Sequence, residues 1–338
     1  MITPSFSLTA TERVLPRMAL DFTTATLDPR VTFTRSGNTA TVTNSSGVIA
    51  AINANLPRFD FNPTTLVCNG LLIEESRTNL LLNSLLNGTN LSTQLITTTA
   101  VAHTLSFYGT GQIVLTGTSS ATVTGTGAYP ARQTLTFTPT VGVLTLTVTG
   151  TVQYAQLEVG AFATSFIPTA GATVTRNVDV ATMTGTNFSD WYNASEGAFV
   201  SEIQQSPTIN NGSTFRSIYY LVPASGSVSS IHTYVNFINQ FQTDYRNSST
   251  SQASLAVGSN TGTISKSATT YKVNSFAAAA QGGATSTDVS GTVPASITQA
   301  ILGNISGFPA AGCLNGYIRK LFYYPQRLTN AEVQAFSK

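Results

Sequence analysis

Leu144-Thr145-Leu146-Thr147-Val148-Thr149 alternates aliphatic and hydroxyl side chains without a break. Side chains on a strand repeat every two residues, so this hexamer has one apolar face and one threonine face, the pattern of a strand buried on one side. Leu135-Thr136-Phe137-Thr138 repeats the pattern just upstream, and Gly125, Gly127, Pro130, Pro139 and Gly142 punctuate the surrounding chain. Short alternating runs between turn residues predict a β-sandwich or jelly roll.

Outward from the hexamer, the chain from Thr78 to Ala131 contains no Asp, Glu, Lys or Arg. The whole 338-residue chain is 9% charged, against about 25% in ordinary globular domains. Exposed sheet edges usually carry charge that blocks pairing with other chains. A β surface without charge is therefore expected to be covered by neighbouring copies. The net charge of +2 provides no field for nucleic acid or an anionic membrane surface. A hydrophobic content of 41% is enough to build real cores.

The charges divide the chain. Residues 1–77 carry twelve, residues 78–175 carry only Arg132 and Glu158, and residues 176–338 carry sixteen. This composition predicts three blocks. Residues 1–77 read as a docking segment of short strands and turns, with Ser36-Gly-Asn38 as one turn and Arg58-Phe-Asp-Phe-Asn-Pro63 as a strand running into another. Residues 78–175 read as a Thr-rich jelly roll.

Residues 176–338 read as a second sandwich. Gly316 to Tyr324 is apolar on both alternating faces, which predicts a strand covered on both sides, and Ala277 to Ala280 reads as strand and turn. Thr329-Asn-Ala-Glu332 has capping-box spacing for a short closing helix with Val333 and Phe336 on its inner face.

The first residues have neither the basic nor the apolar region of a secretory signal, so synthesis in a cytoplasm is expected. No apolar run approaches the roughly 20 residues of a membrane helix. Two cysteines, Cys68 and Cys313, and two histidines, His103 and His232, are too few and too scattered to predict a disulfide framework or a zinc site. No cofactor is expected.

Three segments in order carry a resemblance. The first is Pro57-Arg-Phe-Asp-Phe-Asn-Pro63 followed by Gly70-Leu-Leu-Ile-Glu-Glu-Ser-Arg-Thr-Asn-Leu-Leu-Leu82. The second is Ala155-Gln-Leu-Glu-Val-Gly-Ala-Phe-Ala-Thr-Ser-Phe-Ile-Pro-Thr169 with Val174-Thr-Arg176, and the third runs from Leu314-Asn-Gly-Tyr-Ile-Arg-Lys-Leu-Phe-Tyr-Tyr324 to Glu332. Together they resemble tailed-bacteriophage virion proteins of the tail-fibre and minor structural type.

The resemblance implies an all-β fold: an N-terminal β-hairpin segment, a carbohydrate-binding-module-like jelly roll, then a concanavalin A-like (laminin G-like) lectin sandwich ending in a short helix. It also implies a homotrimer, made in the bacterial host cytoplasm and located in the virion. The N-terminal segment would meet other virion proteins; the first seventeen residues lie outside the resemblance and are expected, separately, to be an attachment arm. The lectin-like sandwich would face host cell-surface glycan. The expected function is a non-enzymatic tail fibre or receptor-binding protein. A capsid decoration or head-fibre protein and a polysaccharide depolymerase remain the alternatives.

Sugar binding needs aromatic faces and fixed polar groups. Tyr234, Phe237, Phe241, Tyr245 and Arg246 form the densest such cluster, and Tyr245, Arg246 and Tyr234 are the candidate ligand residues. Trp191 and Tyr192 are a second pair, expected to pack at the start of the last block. Glu74, Glu75, Arg77 and Asn79 read as an ion-paired junction holding the first block to the jelly roll. No catalytic or metal-binding residues are assigned. Were calcium bound, Asp244, Asn260 and Asp288 would be available as oxygen ligands, but their spacing does not select them.

Overall fold

The computed structural model describes residues 15–37, 40–206, 214–225, 229–305 and 312–338. It is all-β, with two stacked sandwiches and one closing helix. Residues 1–14 of the expected attachment arm, and Asn38 and Thr39 of the expected turn and following strand, lie outside the described residues.

The larger sandwich has an eight-stranded and a seven-stranded sheet. The first runs Ser286–Asp288, Ser275–Ala280, Ile264–Lys272, Glu196–Gln204, Gly316–Tyr324, Cys68–Ile73, Phe59–Phe61. Strand Met18–Asp21 also pairs with Gly316–Tyr324, so two early segments lie end to end along one late strand, Met18 opposite Tyr323 and Ile73 opposite Gly316. The second sheet runs Thr32–Thr34, Val180–Thr184, Gln299–Leu302, Arg216–Val222, Ser230–Val235, Gln240–Asn247, Thr250–Ser259. Leu20, Phe33, Trp191, Phe199, Tyr219, Tyr245, Tyr271 and Tyr323 fill the space between them. Each such fully buried large side chain contributes about 1.5–3 kcal/mol.

This pairing corrects the expectation of a separate docking segment over residues 1–77. Among the described residues its strands are members of both large sheets, apart from the hairpin Ala40–Thr43 with Ile49–Ile52 and Arg77, which begins a strand paired with Val174–Arg176. Gly70 marks how closely the early and late strands meet. Its φ is +124°, and a Cβ there would lie 2.5 Å from the Ile318 carbonyl oxygen.

The smaller sandwich is inserted between the early and late strands of the larger one. Its four-stranded sheet runs Ala121–Thr124, Gln112–Gly117, Gly142–Thr149, Gln94–Thr98, and its three-stranded sheet Gln133–Phe137, His103–Tyr108, Gln153–Val159. Leu144 and Leu146 are buried with Leu105, Phe107, Ile113, Leu115 and Leu157, while Thr147 and Thr149 are exposed, as the alternation predicts. A two-stranded neck, Arg77–Asn79 against Val174–Arg176, is the passage in and out.

The closing helix Asn330–Phe336 carries the capping box. Glu332 N donates to Thr329 Oγ1 at 3.3 Å, and Thr329 N donates to Glu332 Oε2 at 2.7 Å. Val333 is buried on the outer face of the eight-stranded sheet with Ala198, Ala268, Ala279 and Leu328. Phe336 is stacked on Tyr324 at 5.4 Å yet remains 40% exposed, so it sits at the rim of that face rather than inside it. Ala277 to Ala280 are buried in a strand. Trp191 is buried and donates from Nε1 to the Asn187 carbonyl at 2.8 Å.

Candidate functional site

Two polar constellations stand out. The first is the junction between the sandwiches. Arg77 Nε donates to Glu75 Oε1 at 2.6 Å, and its Nη1 donates to the Val159 carbonyl. Glu75 also accepts from Asn315 at 2.8 Å and lies 3.5 Å from Arg216. Both guanidinium groups face the Phe162 ring, at 4.5 Å and 5.5 Å. Asn79 donates to the carbonyls of Ala155 and Ile167 and accepts from Leu81 and Leu157 N–H.

Deeper in the junction, Arg58 pairs with Asp179 and with Glu74, the latter at 2.7 Å. Arg176 meets Glu74 at 2.9 Å and Arg35 meets Asp179 at 3.2 Å. Glu74 and Asp179 thus each meet two guanidinium groups, which is the pattern of a structural tie between sandwiches. Glu74 through Asn79 thus form the ion-paired junction read from their sequence.

The second constellation lies on the outer face of the seven-stranded sheet. Alternation along Ser230–Val235 and Gln240–Asn247 sends Ile231, Thr233, Val235, Phe241, Thr243 and Tyr245 inward. It sends His232, Tyr234, Gln242, Asp244 and Arg246 outward. The register sets Tyr220 opposite His232, His232 opposite Asp244, and Asp244 opposite Ser254. Four strands therefore contribute one transverse row, Tyr220–His232–Asp244–Ser254, with Tyr234 and Gln242 in the adjoining row.

Four rings pack edge and face on this surface. His232 lies 4.5 Å from Tyr234 and 5.0 Å from Tyr220, and Phe215 lies 5.3 Å from Tyr234 and 5.4 Å from His232. All four are half-buried. Asp244 is the polar hub. It accepts from Tyr234 Oη at 2.8 Å, Gln242 Nε2 at 3.1 Å and Ser254 Oγ at 2.7 Å. His232 Nε2 and Ser217 Oγ are 3.2 Å apart.

Burial among the rings pushes His232 down to about 3, outweighing the attraction of Asp244. Burial, followed by the Asp244 charge and hydrogen bond, pushes the Tyr234 phenol well up. Near neutral pH the face therefore presents a neutral imidazole and a protonated phenol beside an acceptor hub. That set suits ring stacking and hydrogen bonding to hydroxyl groups.

The structure places two of the three candidate residues here. Tyr234 is central, and Arg246 lies exposed on the same face, opposite Ser230. Tyr245 is corrected: it is fully buried in the core, with its hydroxyl donating to the Thr270 carbonyl at 3.4 Å. Neighbours on a strand face opposite ways, so Tyr245 and Arg246 cannot share a ligand. Phe237 is exposed at the hairpin tip and Phe241 is core. Phe215, Tyr220, His232, Gln242 and Asp244 were not singled out for this site by sequence. A period-two reading of both strands of the hairpin would have put His232, Tyr234, Gln242 and Asp244 together.

Asp244, Asn260 and Asp288 are not brought together. Asn260 donates to the Gln205 carbonyl at 3.1 Å, and Asp288 accepts from Ser290 N–H at 2.9 Å.

No family model matches the chain, and no curated protein matches it. Among solved structures it is similar over 46% of its length to NanB sialidase from Streptococcus pneumoniae, with TM-score 0.37 and 11% identity. It is similar over 43% to the CBM40 of Ruminococcus gnavus IT-sialidase bound to α2,3-sialyllactose, with TM-score 0.35 and 14% identity. A third, also over 43%, is a heptameric SAP-like pentraxin from Limulus polyphemus, with TM-score 0.30 and 10% identity. The matches cover 26%, 83% and 70% of those chains respectively, so the chain spans about a quarter of the sialidase.

Proposed function

We propose that this chain is a non-enzymatic virion protein of a tailed bacteriophage, a fibre or receptor-binding protein that holds host surface glycan on the outer face of its seven-stranded sheet. The observation that carries glycan binding is the cluster of rings Tyr220, His232 and Tyr234 beside the Asp244 hub. Half-buried rings give a stacking surface, and Asp244, Gln242 and Ser254 give fixed hydrogen-bonding groups next to it.

Support for a place in a particle comes from the three ordered sequence segments and from the surface of the smaller sandwich. Its four-stranded sheet exposes Leu95 at 68% and Val143 at 54% among threonines, with Val141 at 73% just ahead of one strand and no charged side chain on its strands. Such a face is suited to cover by further copies, and a homotrimer is the assembly proposed.

The test has two arms. Purified protein is expected to bind host glycans on an array and to block phage adsorption, with both effects weakened about tenfold or more on Tyr234→Ala. Imaging of purified virions is expected to find the chain at the tail in a few copies. Its absence from virions would end the reading; many copies over the head would replace it with a decoration role. Release of reducing ends from host polysaccharide would replace it with an enzyme.

A further inference from the structure

A cleft of about 430 Å³ opens where the two sandwiches and the hairpin Ala40–Thr43/Ile49–Ile52 meet. This is within the roughly 300–1,000 Å³ of small-molecule sites, which favour domain interfaces. Thr43, Asp60, Tyr108, Tyr129, Arg132 and Tyr317 are among the residues that line it. It shares no lining residue with the outer sheet face.

The charges in the cleft are unequal in their needs. Glu74 at its floor is closed by Arg58, Arg176 and the N–H and hydroxyl of Ser165, at 2.6–2.9 Å. Asp60 accepts from Thr43 N–H at 2.6 Å and Tyr317 Oη at 2.7 Å. Arg132 differs. Its Nη2 donates to Ser106 Oγ at 2.7 Å, and its guanidinium lies 5.9 Å from the Tyr108 ring centre. Among the described residues no carboxylate forms an ion pair with it, and its Nε, like those of Arg35, Arg176 and Arg327, is buried without a hydrogen-bond partner.

The residue as a whole is half-buried, and a ligand carboxylate in the cleft would give its guanidinium the counter-charge it lacks. One uncompensated guanidinium matches a carboxylate of charge −1 better than a phosphate group, which carries about −1.5 to −2. The rest of the wall suits a sugar. Tyr129 is half-buried, packs against Tyr108 at 5.1 Å, and shares a 2.8 Å hydrogen bond with Thr43 Oγ1, so its ring is held in place. Thr41 and Gln204 add a hydroxyl and an amide to the lining.

We propose that this cleft binds an acidic monosaccharide unit, its carboxylate on Arg132 and its ring against Tyr129. The site is independent of the glycan-binding face of the seven-stranded sheet, and either can stand without the other.

Calorimetric titration of the full chain with glucuronate, galacturonate and N-acetylneuraminate tests this, with glucose, acetate and inorganic phosphate as comparison probes. At least one acidic sugar is expected to bind saturably, at least tenfold more tightly than glucose, acetate or phosphate. Arg132→Gln and Tyr129→Ala are each expected to weaken it at least tenfold. A thermal melt shows which variants are folded, and the two substitutions give independent readings. The proposal is overturned if no acidic sugar binds, if both folded variants bind as the parent does, or if acetate or phosphate binds as tightly as the sugar.

Discussion

Arg58 and Asp179 form an ion pair in which neither side chain reaches solvent, across 121 positions of chain. Asp179 also meets Arg35 and accepts from the Glu74 N–H at 2.9 Å. One carboxylate thus holds two guanidinium groups from the early strands beside the residues that follow the smaller sandwich. Removing a buried partner leaves the other charge uncompensated, at a cost of about 3–5 kcal/mol. Asp179→Asn is therefore expected to lower the urea midpoint sharply with an unchanged slope. A loss under about 1 kcal/mol would show that the network does not tie the fold together.

Acid should loosen the same junction. Burial by itself would raise Glu74, but Arg176, Arg58 and the Ser165 donors outweigh it and hold Glu74 down at about 2. Its folded value lies below its unfolded one, so its stabilisation is fully present above about pH 4.5 and is lost as pH falls towards 2. From the shift this is roughly 3 kcal/mol. His232, depressed to about 3, acts in the same direction over a higher window, from about pH 6.5 downward. Melting temperature should be flat above pH 7 and fall below it. His232→Gln should flatten the upper part of that fall, and Glu74→Gln the part below pH 4.5. Unchanged profiles in both variants would refute the assignment.

Tyr234 joins stacking to a polar anchor. Tyr234→Phe keeps the ring but drops the donor to Asp244, which retains Gln242 and Ser254. A small loss of glycan affinity is expected. Tyr234→Ala removes the ring as well and is expected to cost about 1.4 kcal/mol or more, a tenfold loss. Its melting temperature should stay within a few degrees because the residue faces outward. Equal affinity of all three proteins would remove this face from recognition.

Gly160 and Gly171 make a matched pair. Both have positive φ, +140° and +78°, but a Cβ on Gly160 would overlap the Arg77 guanidinium whereas one on Gly171 meets nothing within 4 Å. Gly171→Ala should cost only the backbone penalty of about 1–2 kcal/mol. Gly160→Ala should cost clearly more, because Arg77 must leave Glu75 and the Val159 carbonyl. Chemical denaturation of the two variants side by side checks the order.

Much of this architecture is local and therefore legible. Leu144 to Thr149 shows its buried and exposed faces by alternation, and Thr329 and Glu332 announce the helix start three residues apart. The partners of the early strands are not local. Nothing in Met18-Ala-Leu-Asp21 or Cys68 to Ile73 shows that both pair with Gly316–Tyr324, so a charged block read as separate proved to be part of two sheets. The candidate face was half legible for the same reason. Tyr234 and Arg246 stood out by type, but Tyr220 and Asp244 join them only through cross-strand register. Arg132 was visible as a lone charge, while the cleft around it exists only once segments scattered from Thr41 to Tyr317 meet.

The end-to-end pairing of early strands on a late one also sets a timetable for synthesis. Strand Met18–Asp21 has no partner until Lys320 to Tyr323 have been made. At about 5–20 residues per second, the roughly 300 intervening residues take on the order of 15–60 s to translate. The smaller sandwich, whose sheets use only residues between Gln94 and Val159, can close long before that. Through that interval the nascent chain keeps the backbone of Met18–Asp21 without its partner on the ribosome, and it must reach Gly316–Tyr324 before another chain supplies a strand.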